Sequence, residues 1–206
     1  MRAWLIALWA MCCSVAWAAP SLVDQIAAQT NATPVLRASF VQTKTMAALR
    51  RPLISSGQLL LSRERGLAWH IEAPLRVTYL LSERGVTEID AQGARRTRDA
   101  RDLPGLAQIS RTFQALLGGN LDALRESFDI NAQGTPEAWR LVLLPRQRQT
   151  ATFLRQLELT GGQHVESITV VEAQGDRTVM QMSHIGSDTA LTAAEAAQFT
   201  DTAERR

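Results

Sequence analysis

Cysteine is almost absent from this sequence. Only Cys12 and Cys13 occur among the 206 residues, and both lie near the amino terminus. If that stretch is an export signal that is removed, the remaining chain forms no disulfide and offers no thiol. Met11 precedes Cys12 and Cys12 precedes Cys13, so neither cysteine follows the small residue that marks a bacterial lipidation site. We therefore expect neither a disulfide scaffold nor a lipid anchor.

A strong charge bias is also absent. The 22 Lys and Arg residues nearly balance the 20 Asp and Glu residues, which gives a formal net charge of +2. Loss of Arg2 with the export signal would leave +2 − 1 = +1. A near-neutral chain has no electrostatic attraction to phosphate backbones, so nucleic acid is not an expected partner.

Long hydrophobic runs are missing after the amino terminus. The apolar stretch from Ala3 to about Val15 follows one positive charge and precedes the small-residue pattern Ala16-Trp17-Ala18. This arrangement is typical of a cleavable export signal and is too short to span a bilayer comfortably. We predict a signal peptide over residues 1–18 and one exported domain over residues 19–206, which is long enough for a single core.

Recognisable catalytic and metal-binding motifs are missing as well. His70, His164 and His184 lie in three separate predicted strands, and none has a second metal ligand two to four residues away. No G-x-S-x-G elbow or glycine-rich phosphate loop occurs, and most carboxylates lie in turns or beside arginines. We therefore expect no enzyme, no cofactor and no metal ion.

Alternation of apolar and polar residues dominates the rest of the chain. Leu36, Ala38 and Phe40 share one face of a predicted strand, while Arg37 and Ser39 share the other. Residues typical of tight turns separate successive runs, which favours neighbouring antiparallel strands. Eleven strands are predicted, over residues 35–43, 53–62, 67–72, 77–82, 86–90, 93–97, 128–133, 138–145, 154–160, 164–173 and 177–185.

Helical spacing occurs in four places. Amphipathic helices are predicted over residues 21–31 and 192–199, and a short helix runs from Asn120 to Glu126. Between the sixth and seventh strands, apolar residues recur every three or four positions until Gly118 and Gly119: Leu103, Leu106, Ile109, Phe113, Leu116 and Leu117. The sequence therefore predicts an α+β protein with a helical insertion.

The strands carry apolar residues in excess. Leu59, Leu60 and Leu61 are consecutive, so both faces of that strand are apolar and each needs a cover. Met180 and Met182 share a face, and methionine adapts to irregular shapes. The pattern fits either an ordinary core packed against the insertion or a cavity for a flexible guest.

Arginines cluster in two places. One cluster comprises Arg95, Arg96, Arg98 and Arg101, and the other is the pair Arg50 and Arg51. Such clusters are typical of a solvated hairpin, and they also fit a docking patch for an acidic partner or a lipid phosphate.

Two segments carry a family resemblance. ASFVQ (38–42) and SGQLLLSRERGLAWHIEAP (56–74) resemble the LolA family of periplasmic lipoprotein carriers, with further agreement at LLP (143–145) and AAQF (196–199). The resemblance implies a strongly curved, incomplete antiparallel β-barrel with a helical lid over a hydrophobic cavity. It also implies a monomeric periplasmic carrier of lipoprotein acyl chains from inner to outer membrane. Its partners would be an inner-membrane release machinery and an outer-membrane acceptor.

The resemblance and the strand pattern together select the residues that would line the cavity or lid. These are Phe40, Leu59, Leu61, Trp69, Ile71, Leu106, Ile109, Phe113, Leu116, Trp139, Leu141 and Met180. Arg63 matches the arginine that holds the family's lid shut, although Glu64 replaces the proline that follows it in the family. Alternative functions are a carrier of a glycolipid or free acyl product, a lipid-sensing domain, and an enzyme acting on acyl chains.

Overall fold

Eleven β-strands and four helices make up the described part of the chain. The computed structural model describes residues 20–31, 33–82, 85–99, 115 and 120–200. The strands are β1 (Val35–Thr45), β2 (Leu53–Ser62), β3 (Gly66–Ala73), β4 (Val77–Ser82), β5 (Gly85–Ile89), β6 (Arg95–Asp99), β7 (Phe128–Thr135), β8 (Ala138–Pro145), β9 (Leu154–Gly161), β10 (Val165–Glu172) and β11 (Arg177–Asp188). The helices are α1 (Leu22–Asn31), α2 (Leu121–Arg125), α3 (Arg148–Ala151) and α4 (Ala193–Thr200).

All eleven strands belong to one antiparallel sheet. Their order is β6-β5-β4-β3-β2-β1-β11-β10-β9-β8-β7, so two meanders meet where β1 pairs with β11. Because β6 and β7 stand at opposite ends of this order, the curved sheet is open rather than a closed barrel. The predicted fold class and the predicted number of strands are confirmed.

The strand boundaries differ slightly from the predicted ones. Residues 53–62, 77–82 and 138–145 are strands as predicted. The sixth strand, predicted at 93–97, instead spans 95–99 because Asp90 Oδ1 accepts hydrogen bonds from the backbone amides of Gln92 and Ala94. A carboxylate that bonds the backbone in this way keeps those residues in the turn.

The strand register separates the three consecutive leucines. Leu59 pairs with Ala38 and Trp69, while Leu60 pairs with Arg37 and Ala68. Leu59 and Leu61 belong to the main cluster of buried side chains, on what we call the inner face. Leu60 belongs to a second cluster on the outer face.

The carboxy-terminal helix covers part of the outer face. Phe199 of α4 packs against the cluster of Val35, Leu60, Ala68 and Leu80. Glu195 accepts hydrogen bonds from Nε and Nη2 of Arg37, each at 2.7 Å. The sequence predicts α4 but not its position, so the cover over Leu60 is a finding of the structure.

The other helices agree with the predictions in part. The first helix and the short helix after Asn120 are present, and α3 is an unpredicted single turn. Of the predicted helical insertion, the structure describes only Ala115, which is helical and buried. The apolar stripe from Leu103 to Leu117 lies outside the described residues. No helix in the described ranges is long and apolar enough to cross a membrane.

Candidate functional site

The strand register brings eight predicted cavity residues to the inner face. They come from five strands, and each belongs to the main buried cluster or packs against it: Phe40, Leu59, Leu61, Trp69, Ile71, Trp139, Leu141 and Met180. The other four predicted residues, Leu106, Ile109, Phe113 and Leu116, lie outside the described residues. The shared face is therefore observed, whereas contact of these side chains with a lipid stays a prediction.

The eight residues differ in burial. Six are at most 3% exposed, and Trp69 and Ile71 on β3 are only partly buried. The rings of Phe40 and Trp69 meet edge to face, with centroids 5.9 Å apart and planes at 74°. Aromatic pairs favour this geometry. Trp69 therefore joins the buried cluster to its partly exposed margin.

Helix α1 packs onto the inner face through a narrow apolar stripe. Ile26 is 1% exposed, and Leu22, Val23 and Ala27 are partly buried against the same cluster. Asp24, on the solvent side, forms an ion pair of 2.6 Å with Arg125 of α2. The short apolar contact means that polar bonds supply much of the attachment of α1.

Arg63 binds the carboxy-terminal end of α1. Its Nε donates to the carbonyl oxygen of Thr33 at 2.9 Å, and its Nη2 donates to that of Thr30 at 3.2 Å. Carbonyls at a helix end lack intrahelical donors and carry partial negative charge, so a guanidinium suits them. Burial lowers the pKa of Arg63 below its usual value, yet arginine remains protonated at neutral pH. The predicted contact with the insertion involves residues outside the described ranges, so the latch role stays a prediction.

Gln29 ties the same end of α1 to the other half of the sheet. Its Nε2 donates to the carbonyl oxygen of Gly162 at 2.6 Å and to that of Pro136 at 3.3 Å. The Gly162 oxygen also accepts a hydrogen bond from Trp139 Nε1 at 2.7 Å. The prediction missed Gln29. The signal was available, because Gln29 lies three residues after Ile26 and thus on the inward-facing side of the helix.

Two depressions occur on the surface of the described residues. One, of about 430 Å³, is lined by residues including Gly134, Trp139 and Arg140. The other, of about 390 Å³, is lined by residues including Leu144 and Leu154. Neither is lined by Phe40 or the other predicted residues of β2 and β3. An enclosed lipid cavity therefore stays a prediction.

The described residues contain no cluster of three or more histidine, cysteine or acidic side chains that could hold a metal ion. His70 Nδ1 lies 3.0 Å from Thr78 Oγ1 on the neighbouring strand. Burial lowers the pKa of His70, so its imidazole is neutral at pH 7. These contacts explain His70 as a structural side chain between β3 and β4.

Comparison with known proteins gives one family match. The family model described as outer membrane lipoprotein carrier protein LolA-like matches residues 16–204. No curated protein sequence matches the chain significantly.

Several solved structures are similar to this chain at low sequence identity. A LolA superfamily protein from Nitrosomonas europaea is 10% identical, with a TM-score of 0.48 over 88% of this chain and 98% of that one. A DUF1329 family protein from Desulfovibrio piger is 11% identical, with a TM-score of 0.47 over 86% and 97% of the two chains. The lipoprotein LppX from Mycobacterium tuberculosis is 9% identical, with a TM-score of 0.45 over 82% and 96%.

Proposed function

Since this chain belongs to the LolA-like family of outer membrane lipoprotein carrier proteins, we propose that it shields the acyl chains of lipoproteins in the periplasm. The chain receives its cargo from a release machinery in the inner membrane and delivers it to an acceptor in the outer membrane. It acts as a monomer after removal of residues 1–18. The cargo is chemically unchanged, so no cofactor or catalytic residue is needed.

One observation carries the proposal: the inner face is continuously apolar across the sheet, and its described helical covers are narrow. The cluster extends from Val86 on β5 to Phe128 on β7. Within α1, among the side chains that the structure describes, only Ile26 and Thr30 are buried. A wide apolar sheet with a slender cover can accept another apolar layer when the cover moves.

The strength of the cover fits reversible opening. Burial of Ile26 contributes roughly 1.5–3 kcal/mol, each neutral hydrogen bond from Gln29 about 1 kcal/mol, and the two hydrogen bonds from Arg63 together about 2 kcal/mol, because this helix end is partly exposed. An acyl chain of roughly fifteen methylenes gains about 12 kcal/mol on leaving water, at about 0.8 kcal/mol each. An acyl chain in water therefore outweighs the contacts that hold α1 down.

The same free energies explain how the carrier releases the acyl chain. A chain that leaves a bilayer moves from one apolar medium to another, so its net gain in the carrier is near zero. The cost of moving α1 then favours the empty state. Loading needs a machine that extracts the lipoprotein, and unloading needs only an acceptor with comparable affinity.

Mass analysis of the protein recovered from the periplasm tests the cargo and the export signal together. The expected results are a chain that starts at Ala19 and, in native mass spectra, a bound triacylated lipoprotein or its lipidated fragment. A bound glycolipid or free fatty acid would instead assign a different cargo. Recovery with no lipid, even after incubation with lipidated peptide, would contradict the carrier function.

A matched pair of variants tests the binding face. Displacement of an environment-sensitive apolar dye by lipidated peptide is measured for Ile71→Asn on the inner face and for Val41→Thr on the outer face. We expect Ile71→Asn to weaken displacement about tenfold, because a polar group replaces an apolar contact with the chain. Val41→Thr should match the wild type. Equal behaviour of the two variants would place the lipid elsewhere.

A further inference from the structure

Exposed apolar side chains gather at one end of the sheet. Seven large apolar residues are exposed in the described part of the chain, and all except Val41 lie in or beside the connections at the end where β1 passes into β2. The β3–β4 turn and the β8–β9 connection lie at the same end. Neighbouring strands are antiparallel throughout the sheet, so β3 and β8 run in the same direction as β1 and end on the same side. The opposite end has no such residue among those described.

Four of these side chains lie in or beside two adjacent connections. Leu49 is 43% exposed and Leu53 is 55% exposed, whereas Ile54 and Leu75 reach 60% and 78%. Most leucines and isoleucines of a folded domain are buried, so four such exposed side chains close together indicate a binding surface. We call residues 49–54 and 75–76 the basic apolar tip.

The tip lies at the very end of the sheet. The first β2 residue paired with β3 is Ser56, opposite Ala73, so Leu53 and Ile54 have no neighbour on β3, while β1 stays paired with β11 up to Thr45. Leu53 falls on the inner face and Ile54 on the outer face, because successive residues of a strand alternate. The tip therefore exposes apolar groups on both sides rather than on one flat surface.

Arginine is the only charged residue type in the tip. Arg50, Arg51 and Arg76 lie beside the exposed apolar residues, and all three are exposed. Among the described residues none of the three forms an ion pair. Glu72, the nearest acidic residue along the chain, accepts a hydrogen bond from Gln58 at 3.2 Å. Asp176 of the β10–β11 turn accepts a hydrogen bond from the amide of Ala47 in the β1–β2 connection at 3.2 Å. The tip thus combines three exposed arginines with exposed hydrocarbon.

We propose that the basic apolar tip docks on the surface of an anionic lipid bilayer. Its leucine and isoleucine side chains enter the boundary of the acyl chains, and its arginines bind lipid phosphates. A bilayer surrounds the end of the sheet that enters it and so covers apolar groups on both faces, whereas a protein partner would need a matching cleft. The inference rests on the proposed carrier function in one respect: docking would bring the carrier to the membranes where cargo is exchanged.

Cosedimentation with lipid vesicles measures docking without cargo. Vesicles of phosphatidylethanolamine and phosphatidylglycerol are compared with vesicles of phosphatidylcholine alone. We expect wild-type protein to bind the anionic vesicles more tightly. The double variant Arg50→Gln/Arg51→Gln should bind them roughly 30-fold more weakly, at about 1 kcal/mol for each arginine near the surface. Leu49→Ser/Leu75→Ser should weaken binding about tenfold for each leucine that enters the bilayer.

Matched variants control for general effects of charge and hydrophobicity. Arg65→Gln/Arg98→Gln removes two exposed arginines toward the opposite end of the sheet, and Val41→Thr removes an exposed apolar group from the middle of the outer face. Both should bind vesicles as the wild type does. Unchanged circular dichroism and melting temperature in all variants would exclude unfolding as the cause.

The results separate docking from transport. The proposal would be overturned if the protein did not bind vesicles, or if binding did not depend on lipid charge. It would also be overturned if the tip variants and the control variants lost binding equally. Vesicle binding that fails while a periplasmic protein protects the tip would assign the surface to a protein partner and also overturn it. Lipid recovered with the protein in native mass spectra tests the carrier function independently, so failure of one proposal is distinguishable from failure of the other.

Discussion

Replacement of Arg63 by methionine tests whether this arginine holds α1 against the sheet. Methionine keeps the unbranched apolar stem but removes the donors to the carbonyl oxygens of Thr33 and Thr30, at 2.9 and 3.2 Å. Each hydrogen bond from a charged donor contributes about 1.5–3 kcal/mol. The bond to Thr30 is long, and water reaches this partly exposed helix end. We therefore assign about 1.5 kcal/mol to the bond to Thr33 and a fraction of that to the bond to Thr30. We expect a loss of about 2 kcal/mol.

Two measurements separate local from global effects of the Arg63→Met substitution. Thermal unfolding should show a melting temperature lower by about 4–8 °C, from roughly 2–4 °C per kcal/mol for a domain of this size. Hydrogen exchange of the α1 amides should accelerate more than exchange in β1 and β2, because the bonds lost belong to the end of α1. An apolar dye should also bind faster, since the cover opens more often.

Arg65→Met is the matched control, because Arg65 lies in the same turn. Among the described residues its side chain makes one long hydrogen bond, 3.4 Å from Nη1 to the carbonyl oxygen of Ala196. If exchange in α1 were the same for Arg63→Met and Arg65→Met, the two carbonyl contacts would not hold the helix. If stability fell without faster exchange in α1, Arg63 would support the fold as a whole rather than the cover.

Three further substitutions test other parts of the structure. Arg37 hydrogen-bonds Glu195 and lowers its pKa from 4.5 to about 2, so the pair stabilises α4 fully above pH 4.5 and progressively less toward pH 2. Thermal melts of wild type and Glu195→Gln should differ by about 1 kcal/mol at pH 7 and converge as the pH approaches 2. A β-carbon in Gly57→Ala would overlap the carbonyl oxygen of His70 on β3, so urea unfolding should show a loss of more than about 2 kcal/mol. Trp139→Phe removes the indole bond to a turn carbonyl and should cost about 1–2 kcal/mol in the same assay, whereas an unchanged midpoint would mean that water replaces this bond without cost.

Much of the inner face could be predicted because strand geometry is local. Alternation with period two assigns Leu59 and Leu61 to the same side, and the same rule relates Trp139 to Leu141. Tight turns then join each strand to its neighbour, so the inward-facing residues of successive strands lie on one face of the sheet. The eight described residues predicted for the cavity consequently lie together.

Contacts between distant segments could not be predicted in the same way. The sequence pattern marks Arg63 only by family resemblance, and its acceptors at Thr30 and Thr33 become visible when α1 lies across the sheet. Gln29 is ordinary as a helical residue, yet it joins the β7–β8 and β9–β10 turns. The Gln29 bonds depend on the relative position of elements more than a hundred residues apart in the chain.

The sequence by itself determined the class of this protein: eleven antiparallel strands, apolar residues on both faces of β2, and the family to which the chain belongs. Only the tertiary structure decided which element covers each face, with α1 on the side of Leu59 and α4 on the side of Leu60. It also placed Leu49 and Leu75 at the same end of the sheet. The physical reason is that strand periodicity arises from each residue's own backbone geometry, whereas the docking of helices and the convergence of turns depend on how the whole sheet curves and pairs.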